Sequence, residues 1–346
     1  MLQFLDFIER DGMRKIKIFI NGFGRIGRSI VRVALCEMQD CIEIVGVNDL
    51  ANPENLSYLL THDSVHQCSK ITQRFDGKNF IFNDCKIPFF QHKIPKEIDI
   101  CGADVVIEAS GLFLAQEVVE SHLQKGAKRV IFSAPAKDDT KTFVLGVNHT
   151  EYKGEKIISN ASCTTNALAP VIMLLDENFG VEKGILTTIH SYTNDQNLID
   201  TAHHKGDFRR SRAAAINMIP TTTGAAKALH LVLPQMKGRL HGHSVRVPVP
   251  DVSMVDLNVN LKTNVTKEAI NAMFCEAVEG RLKGVLGVDR EYGVSQDFLN
   301  CPLSGVVALD LTFVLGGNMA KIMTWYDNEW GYSHRILEMA IYICNA

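Results

Sequence analysis

K-I-K-I-F-I-N-G-F-G-R-I-G-R-S-I-V-R-V-A, residues 15–34, decides the fold. Its first part gathers Ile16, Ile18, Phe19 and Ile20 into one short apolar run, the composition of a strand buried on both faces. A glycine turn follows, and then Ile26, Ile30, Val33 and Ala34 recur at helical spacing. Between strand and helix the three glycines differ in what they allow. Gly22 permits the tight turn, Gly24 lets a pyrophosphate approach the backbone, and Gly27 lets the helix lie close on the strand. The helix start, at Arg25 and Ile26, offers free N–H groups and the positive end of a dipole to phosphates. A purely structural turn can look the same, so context matters. The next apolar run, 42–47, ends in Asn48-Asp49, and Asp49 is placed to accept hydrogen bonds from ribose hydroxyls. Leu50 follows, with no Arg or Lys adjacent to balance a 2′-phosphate, which favours NAD over NADP.

Working outward, Pro53 opens a helix through Tyr58 to Leu60, and 105–108 and 129–132 read as strands around a helix at 115–125. Strands alternating with helices imply a mostly parallel, doubly wound α/β sheet. Past about residue 160 the texture changes. A helix at 164–176 leads to a strand at 185–189, then to a polar stretch without periodicity at 192–212. Strand-like segments follow at 244–249, 252–261, 306–315 and 321–326, and a last helix at 329–343. The reading is a doubly wound α/β unit at 14–162 followed by an α+β unit at 163–328 with a mainly antiparallel sheet, and the last helix could pack on either. A chain of 346 residues exceeds what one core usually serves.

Hydrophobic residues make up 46% and charged residues 22%, an ordinary globular balance that argues against disorder. A net charge of -3 without like-charge blocks gives no pull toward nucleic acid or an anionic membrane. No apolar run approaches the roughly 18 residues that span a bilayer. The start, with Asp6, Glu9 and Asp11 and no basic region, is unlike a secretory signal, and the first twelve residues read as a start-site choice or an extension without a catalytic role. The nine cysteines are odd in number and form no C-x-x-C pair, so reduced thiols in a cytoplasm are expected, eight of them as small buried hydrophobes.

The ninth is Cys163, in S-N-A-S-C-T-T-N, 159–166, at the start of a helix among small hydroxyl residues. A helix dipole and nearby N–H donors lower a thiol below its ordinary pKa of about 8.5. A thiolate needs a partner that exchanges protons near neutral pH, and His190, at the end of a predicted strand in T-T-I-H-S-Y-T, is one of twelve histidines that could serve. Taken alone, these residues favour a reactive Cys163 over an inert buried one, whereas any single histidine of the twelve is more often structural.

The order of several longer segments resolves the choice. I-N-G-F-G-R-I-G-R, V-N-D, S-A-P-A-K, S-N-A-S-C-T-T-N, H-S-Y-T-N-D-Q, R-R-S-R-A-A-A, P-T-T-T-G-A-A-K-A, R-V-P and W-Y-D-N-E-W-G-Y-S occur in that order, and from Ile20 to Arg335 the chain resembles the glyceraldehyde-3-phosphate dehydrogenase family. The resemblance implies an NAD-dependent enzyme of glycolysis or gluconeogenesis, acting on glyceraldehyde 3-phosphate and inorganic phosphate as a cytoplasmic homotetramer. By matching position it implies Cys163 as nucleophile and His190 as base. It implies Thr193 and Arg246 in the pocket for the substrate phosphate, and Ser162, Thr164, Thr223 and Gly224 in the pocket for inorganic phosphate. It places Ser110, Ser133, Asn328 and Tyr332 beside the cofactor, with Asn328 anchoring the nicotinamide carboxamide, and sends 192–212 to a neighbouring subunit's cofactor site. It also implies that 14–162 is a Rossmann cofactor domain, completed by the final helix at about 329–346, and that 163–328 is the catalytic domain.

The chain departs from that pattern in three places. L-H-G-H-S-V precedes Arg246, and His241 and His243 would share one strand face; two ligands without a third are a weak basis for a metal, and surface or interface positions are expected. Residues 302–310 are more apolar than usual in the family, and Leu112 follows Ser110-Gly111. An erythrose-4-phosphate dehydrogenase is the nearest alternative, disfavoured because Tyr192, Thr193, Thr223 and Gly224 are all present. A non-catalytic surface or RNA-binding role finds no basic, aromatic-studded patch.

Overall fold

The computed structural model describes residues 14–67 and 71–346; the expectations for the first twelve residues and for Cys68 fall outside them. Two compact units are formed. One takes the chain up to Phe143, His149–Ser162 and Ser333–Ala346, the other Val144–Asn148 and Cys163–Tyr332.

In the first unit the strands are β1 (Ile16–Asn21), β2 (Ile42–Asn48), β3 (Gln73–Phe75), β4 (Asn79–Phe82), β5 (Cys85–Phe90), β6 (Val105–Glu108), β7 (Arg129–Phe132) and β8 (Ile157–Ser159). They form one sheet in the order β3-β4-β5-β2-β1-β6-β7-β8, parallel from β5 through β8. Helices α1 (Arg25–Cys36), α2 (Pro53–Thr61) and α3 (Gln116–Gln124) connect them. β1 and β6 lie in the middle of the sheet, which is why they read as unbroken apolar runs: Ile18, Phe19, Ile20, Val105, Val106 and Ile107 are all sealed from solvent. The antiparallel edge β3-β4-β5 does not stand out in the sequence, because β3 and β5 are mostly exposed or half-buried and so form no continuous apolar run. It is held by aromatic contacts, Phe80 against Phe75, Phe82 and Phe89.

The second unit holds β9 (Val181–Ser191), β10 (Ile219–Thr222), β11 (Leu240–Val247), β12 (Ser253–Leu261), β13 (Leu286–Asp289), β14 (Gly305–Ala308), β15 (Phe313–Leu315) and β16 (Met319–Tyr326). Its helices are α4 (Cys163–Phe179), α5 (Ala225–Val232) and α6 (Lys267–Glu279); α7 (Trp330–Asn345) starts here and runs into the first unit. The sheet is mixed and mainly antiparallel, with β9-β11 and β13-β14 parallel. The buried α4, with Ala167, Leu168, Val171 and Ile172, packs on β12 and β16.

Three local expectations need correction. The run at 306–315 is not one strand: a 3-10 turn at Leu309–Leu311 separates β14 from β15. β14 is buried along its whole length, which accounts for the apolar departure there. β11 begins at Leu240, four residues before the expected start, because Gly242 lies against Leu186, whose carbonyl oxygen would stand 2.4 Å from any Cβ at that position. His241 and His243 flank that glycine and are both exposed. Finally, of the seven described cysteines expected as buried hydrophobes, Cys85 is exposed and the other six are half-buried, so these small thiols lie at the margins of the core and not within it.

Candidate active site

The catalytic side chains are assembled by strand register. β9 runs between β11 and β12, and the register sets Arg246 beside His190 and Met254 beside Ile189. Cys163 is the first residue of α4, entered through Ala161, which holds a left-handed φ of 57°. The result is a contact of 3.7 Å between Cys163 Sγ and His190 Nε2, with Thr164 Oγ1 at 4.0 Å from the sulfur. Thr188, two residues before His190 on β9, and Thr164 both hydrogen-bond the hydroxyl of Tyr326, at 2.8 and 2.9 Å, and the Tyr326 ring stands edge-on to the imidazole at 6.0 Å. Tyr326 therefore links the helix start to the base. It lies inside W-Y-D-N-E-W-G-Y-S, yet nothing in the sequence marks it as part of this linkage.

The electrostatics correct one expectation. Burial raises the Cys163 thiol above its ordinary value, and Arg246 and the Thr164 hydroxyl and N–H only partly oppose this, so the helix tip does not by itself ionise the sulfur. His190 is pushed down to about 3, by burial first and then by the Arg246 charge. The resting pair is a neutral thiol facing a neutral imidazole. At Nδ1 the imidazole has partners for either tautomer: Ser191 O at 2.8 Å accepts from Nδ1–H, and Arg246 Nη1 at 2.7 Å donates to a bare Nδ1 while also donating to Ser191 O at 2.9 Å. In the first tautomer Nε2 is a base toward sulfur, in the second an acid.

Asn328 is held with unusual definition. Its Oδ1 receives the Ser191 hydroxyl at 2.9 Å and the Ser253 hydroxyl at 2.6 Å, which leaves Nδ2 as an outward donor. Ser253 is aimed by Val252, a β-branched residue at φ 63°. Tyr332 is buried, and burial together with the nearby Cys163 sulfur keeps its phenol firmly protonated. For anions, Arg246 Nε is buried without a hydrogen-bond partner among the described residues, and Gly224, the residue before α5, supplies no side-chain cap and has open space around it. Thr223 turns its Oγ1 to Ala225 N at 3.2 Å, while Thr193 is half-exposed. Ser162 precedes Cys163 in the chain and belongs to the first unit.

The dinucleotide turn in that unit behaves as its glycines imply. Gly22 has φ 102°, and a Cβ there would stand 2.4 Å from Ser110 N; a Cβ on Gly27 would stand 2.1 Å from Gly22 O. Gly24 faces open space at the start of α1 and supplies no side-chain cap, so a ligand can approach the helix end beside Ile26. Asp49 is oriented by Phe23 N at 2.7 Å and Ala51 N at 2.9 Å. The Arg25 guanidinium pairs with Asp63 at 3.2 Å. Ser110 and Ser133 turn their hydroxyls to the carboxylate and the carbonyl of Glu108, a residue with no signal of its own in the sequence.

Comparison with known proteins agrees with this layout. Residues 16–116 match the family model described as glyceraldehyde 3-phosphate dehydrogenase, NAD binding domain, and residues 162–328 match that described as its C-terminal domain. The chain is 52% identical over 333 residues to the glyceraldehyde-3-phosphate dehydrogenase of Helicobacter pylori, covering 94% of this chain and 98% of that protein. It is 47% identical over 334 residues to that of Geobacillus stearothermophilus, covering 95% and 98%, and 47% identical over 336 residues to that of Bacteroides fragilis, covering 94% and 98%.

Proposed function

Since the chain belongs to the glyceraldehyde-3-phosphate dehydrogenase family, we infer that it is an NAD-dependent enzyme that oxidises glyceraldehyde 3-phosphate in the presence of inorganic phosphate, with Cys163 as the covalent nucleophile. The observation that carries this reading is the Cys163 Sγ–His190 Nε2 contact of 3.7 Å, with a neutral imidazole bearing partners for both tautomers. As the sulfur attacks the aldehyde carbon, Nε2 takes the thiol proton and returns it to the developing alkoxide, giving a hemithioacetal. Nε2 then removes the hemithioacetal hydroxyl proton. NAD, when bound, supplies the two-electron acceptor that leaves a thioester on Cys163. Phosphate oxygen then attacks the thioester carbon, the C–S bond breaks, and the thiolate recovers a proton from the imidazole.

The residues present suit the dinucleotide. The uncapped start of α1, the open Gly24 and the oriented Asp49 serve its phosphates and ribose, and Asn328 Nδ2 suits a carboxamide oxygen. Ser110, Ser133 and Tyr332 complete the cofactor contacts. Arg246 and Thr193 hold the substrate phosphate, and Ser162, Thr164, Thr223 and Gly224 the attacking one, which needs several hydroxyl and N–H donors. The assembly is a homotetramer in which 192–212 reaches a neighbouring cofactor site, and the compartment is the cytoplasm; among the described residues no helix is long and apolar enough to cross a membrane.

The test is NADH formation from glyceraldehyde 3-phosphate, with and without phosphate, and with erythrose 4-phosphate as rival. The expected result is strong phosphate dependence with the three-carbon substrate. Cys163→Ser should lower turnover about a thousandfold or more while NAD still binds; near-normal turnover of that variant would refute the covalent route.

A further inference from the structure

At the carboxyl edge of the first sheet, where open α/β sheets bind their ligands, Glu108 ends β6 with no exposed surface. Its neighbours in register are Asn21 on β1 and Phe132 on β7, so a buried carboxyl group sits at the strand ends beside a buried amide. Three donors converge on it. Asn21 Nδ2 donates to Oε2 at 2.5 Å, Ser110 N donates to Oε1 at 3.0 Å, and the Ser110 hydroxyl donates to the same Oε1. Asn21 Oδ1 in turn accepts from Asn48 Nδ2 at 2.8 Å, and Ser133 donates to the Glu108 carbonyl. One side chain thus joins the ends of β1, β2 and β6, while its own carbonyl carries the link to Ser133 beyond β7.

The glycine turn rests on this assembly. Gly22 approaches Ser110 so closely that no Cβ fits between them, and Ser110 is held from beneath by Glu108. A rigid carboxylate here determines where Asn21, Gly22 and Ser110 stand. Resting on the cofactor reading above, we propose that Glu108 is a positioning residue for the dinucleotide, and that NAD is held tightly only while three donors meet a charged carboxylate.

Protonation would bring a fourth hydrogen among groups that already donate. On Oε1 it forces the Ser110 hydroxyl to turn. On Oε2 it faces the Asn21 amide, whose flip would break the bond from Asn48. Burial pushes this carboxyl up to about 7, and the Ser110 hydroxyl, the Asn21 amide and Ser110 N–H only partly pull it back. On the neighbouring elements Asp49 accepts from Phe23 N and Ala51 N, Arg28 donates to Phe23 O and His92 faces Glu97, while Arg129 stands at the end of β7 away from Glu108. Lys17, at the far end of β1, neighbours Asp104 through its backbone. Glu108 thus can change charge beneath the turn near neutral pH.

The experiment is calorimetric titration of the intact protein with NAD from pH 5.5 to 8.5. For the wild type, the dissociation constant at pH 6 should be about ten times that at pH 8, with the midpoint near 7. Glu108→Gln should bind about tenfold more weakly than wild type at pH 8 and show a flat profile. Ser110→Ala, which keeps the carboxylate but removes one donor, should move the midpoint upward, and it decides the matter if the Gln variant does not fold. Equal slopes in wild type and Glu108→Gln, or an unmoved midpoint in Ser110→Ala, overturn the proposal. A wild type that binds NAD with a flat profile overturns this inference alone, whereas a wild type that binds no NAD at any pH overturns the cofactor reading with it.

Discussion

His122 in the first unit and His190 in the second are both buried imidazoles, and burial holds each in the neutral state. His122 on α3 is wholly enclosed, neither ring nitrogen has a hydrogen-bond partner, and its basicity is pushed down to about 4 by burial and then by Lys125. His190 is pushed down to about 3, yet Cys163, Ser191 and Arg246 crowd its two nitrogens. The comparison separates two things that are easily merged. Desolvation alone makes an imidazole a weak base; only partners that accept either tautomer let it pass a proton. His122 is a filler in a packed layer, while His190 is a relay.

The sharpest test of that contrast is to remove each ring. His190→Asn should lower kcat by roughly 10²–10⁴-fold while NAD binding is unchanged, the size expected for losing a positioned acid/base; a pre-steady-state measurement of acylation locates the loss. A small effect would place His190 with His122 as a structural group. His122→Leu should leave kcat alone but change stability with pH. The sign follows from linkage: the folded value, about 4, lies below the unfolded value, 6.5, so wild-type stability falls as pH drops from 6.5 through 4, by about 3 kcal/mol. Denaturant melts at pH 7 and pH 4.5 should show that fall shrinking in the Leu variant, and an unchanged fall would assign it to other groups. The smallest effect is expected from Ser253→Ala, which leaves Asn328 Oδ1 with one hydroxyl donor where there were two. At about 1 kcal/mol for a neutral hydrogen bond, KM for NAD should rise roughly fivefold with kcat little changed.

What could be read in advance followed the range of each interaction. The glycine turn was legible because its constraints are local. A positive φ at Gly22 and the close packing of Gly27 are consequences of residues within a few positions, and they leave a pattern of glycines. The buried strands β1 and β6 were legible as apolar runs for the same reason. Glu108, Ser253 and Tyr326 were not, since each takes a partner from far along the chain (Asn21, Asn328 and Thr164), and a lone Glu, Ser or Tyr carries no mark of where its oxygen will point. The expected acidity of Cys163 failed in the same way: a helix start favours a thiolate, but the desolvation that outweighs it comes from chain segments far along the sequence.

The amino-acid sequence by itself determined the alternation of strands and helices, the dinucleotide turn and the family, because backbone sterics and hydrophobic period act over short stretches. The tertiary structure alone decided that Cys163 and His190 rest neutral, that Asn328 is aimed by two serines, and that a single buried carboxylate underlies the glycine turn. Those outcomes depend on dielectric surroundings and on register between distant strands. Such quantities do not exist until the sheet has formed.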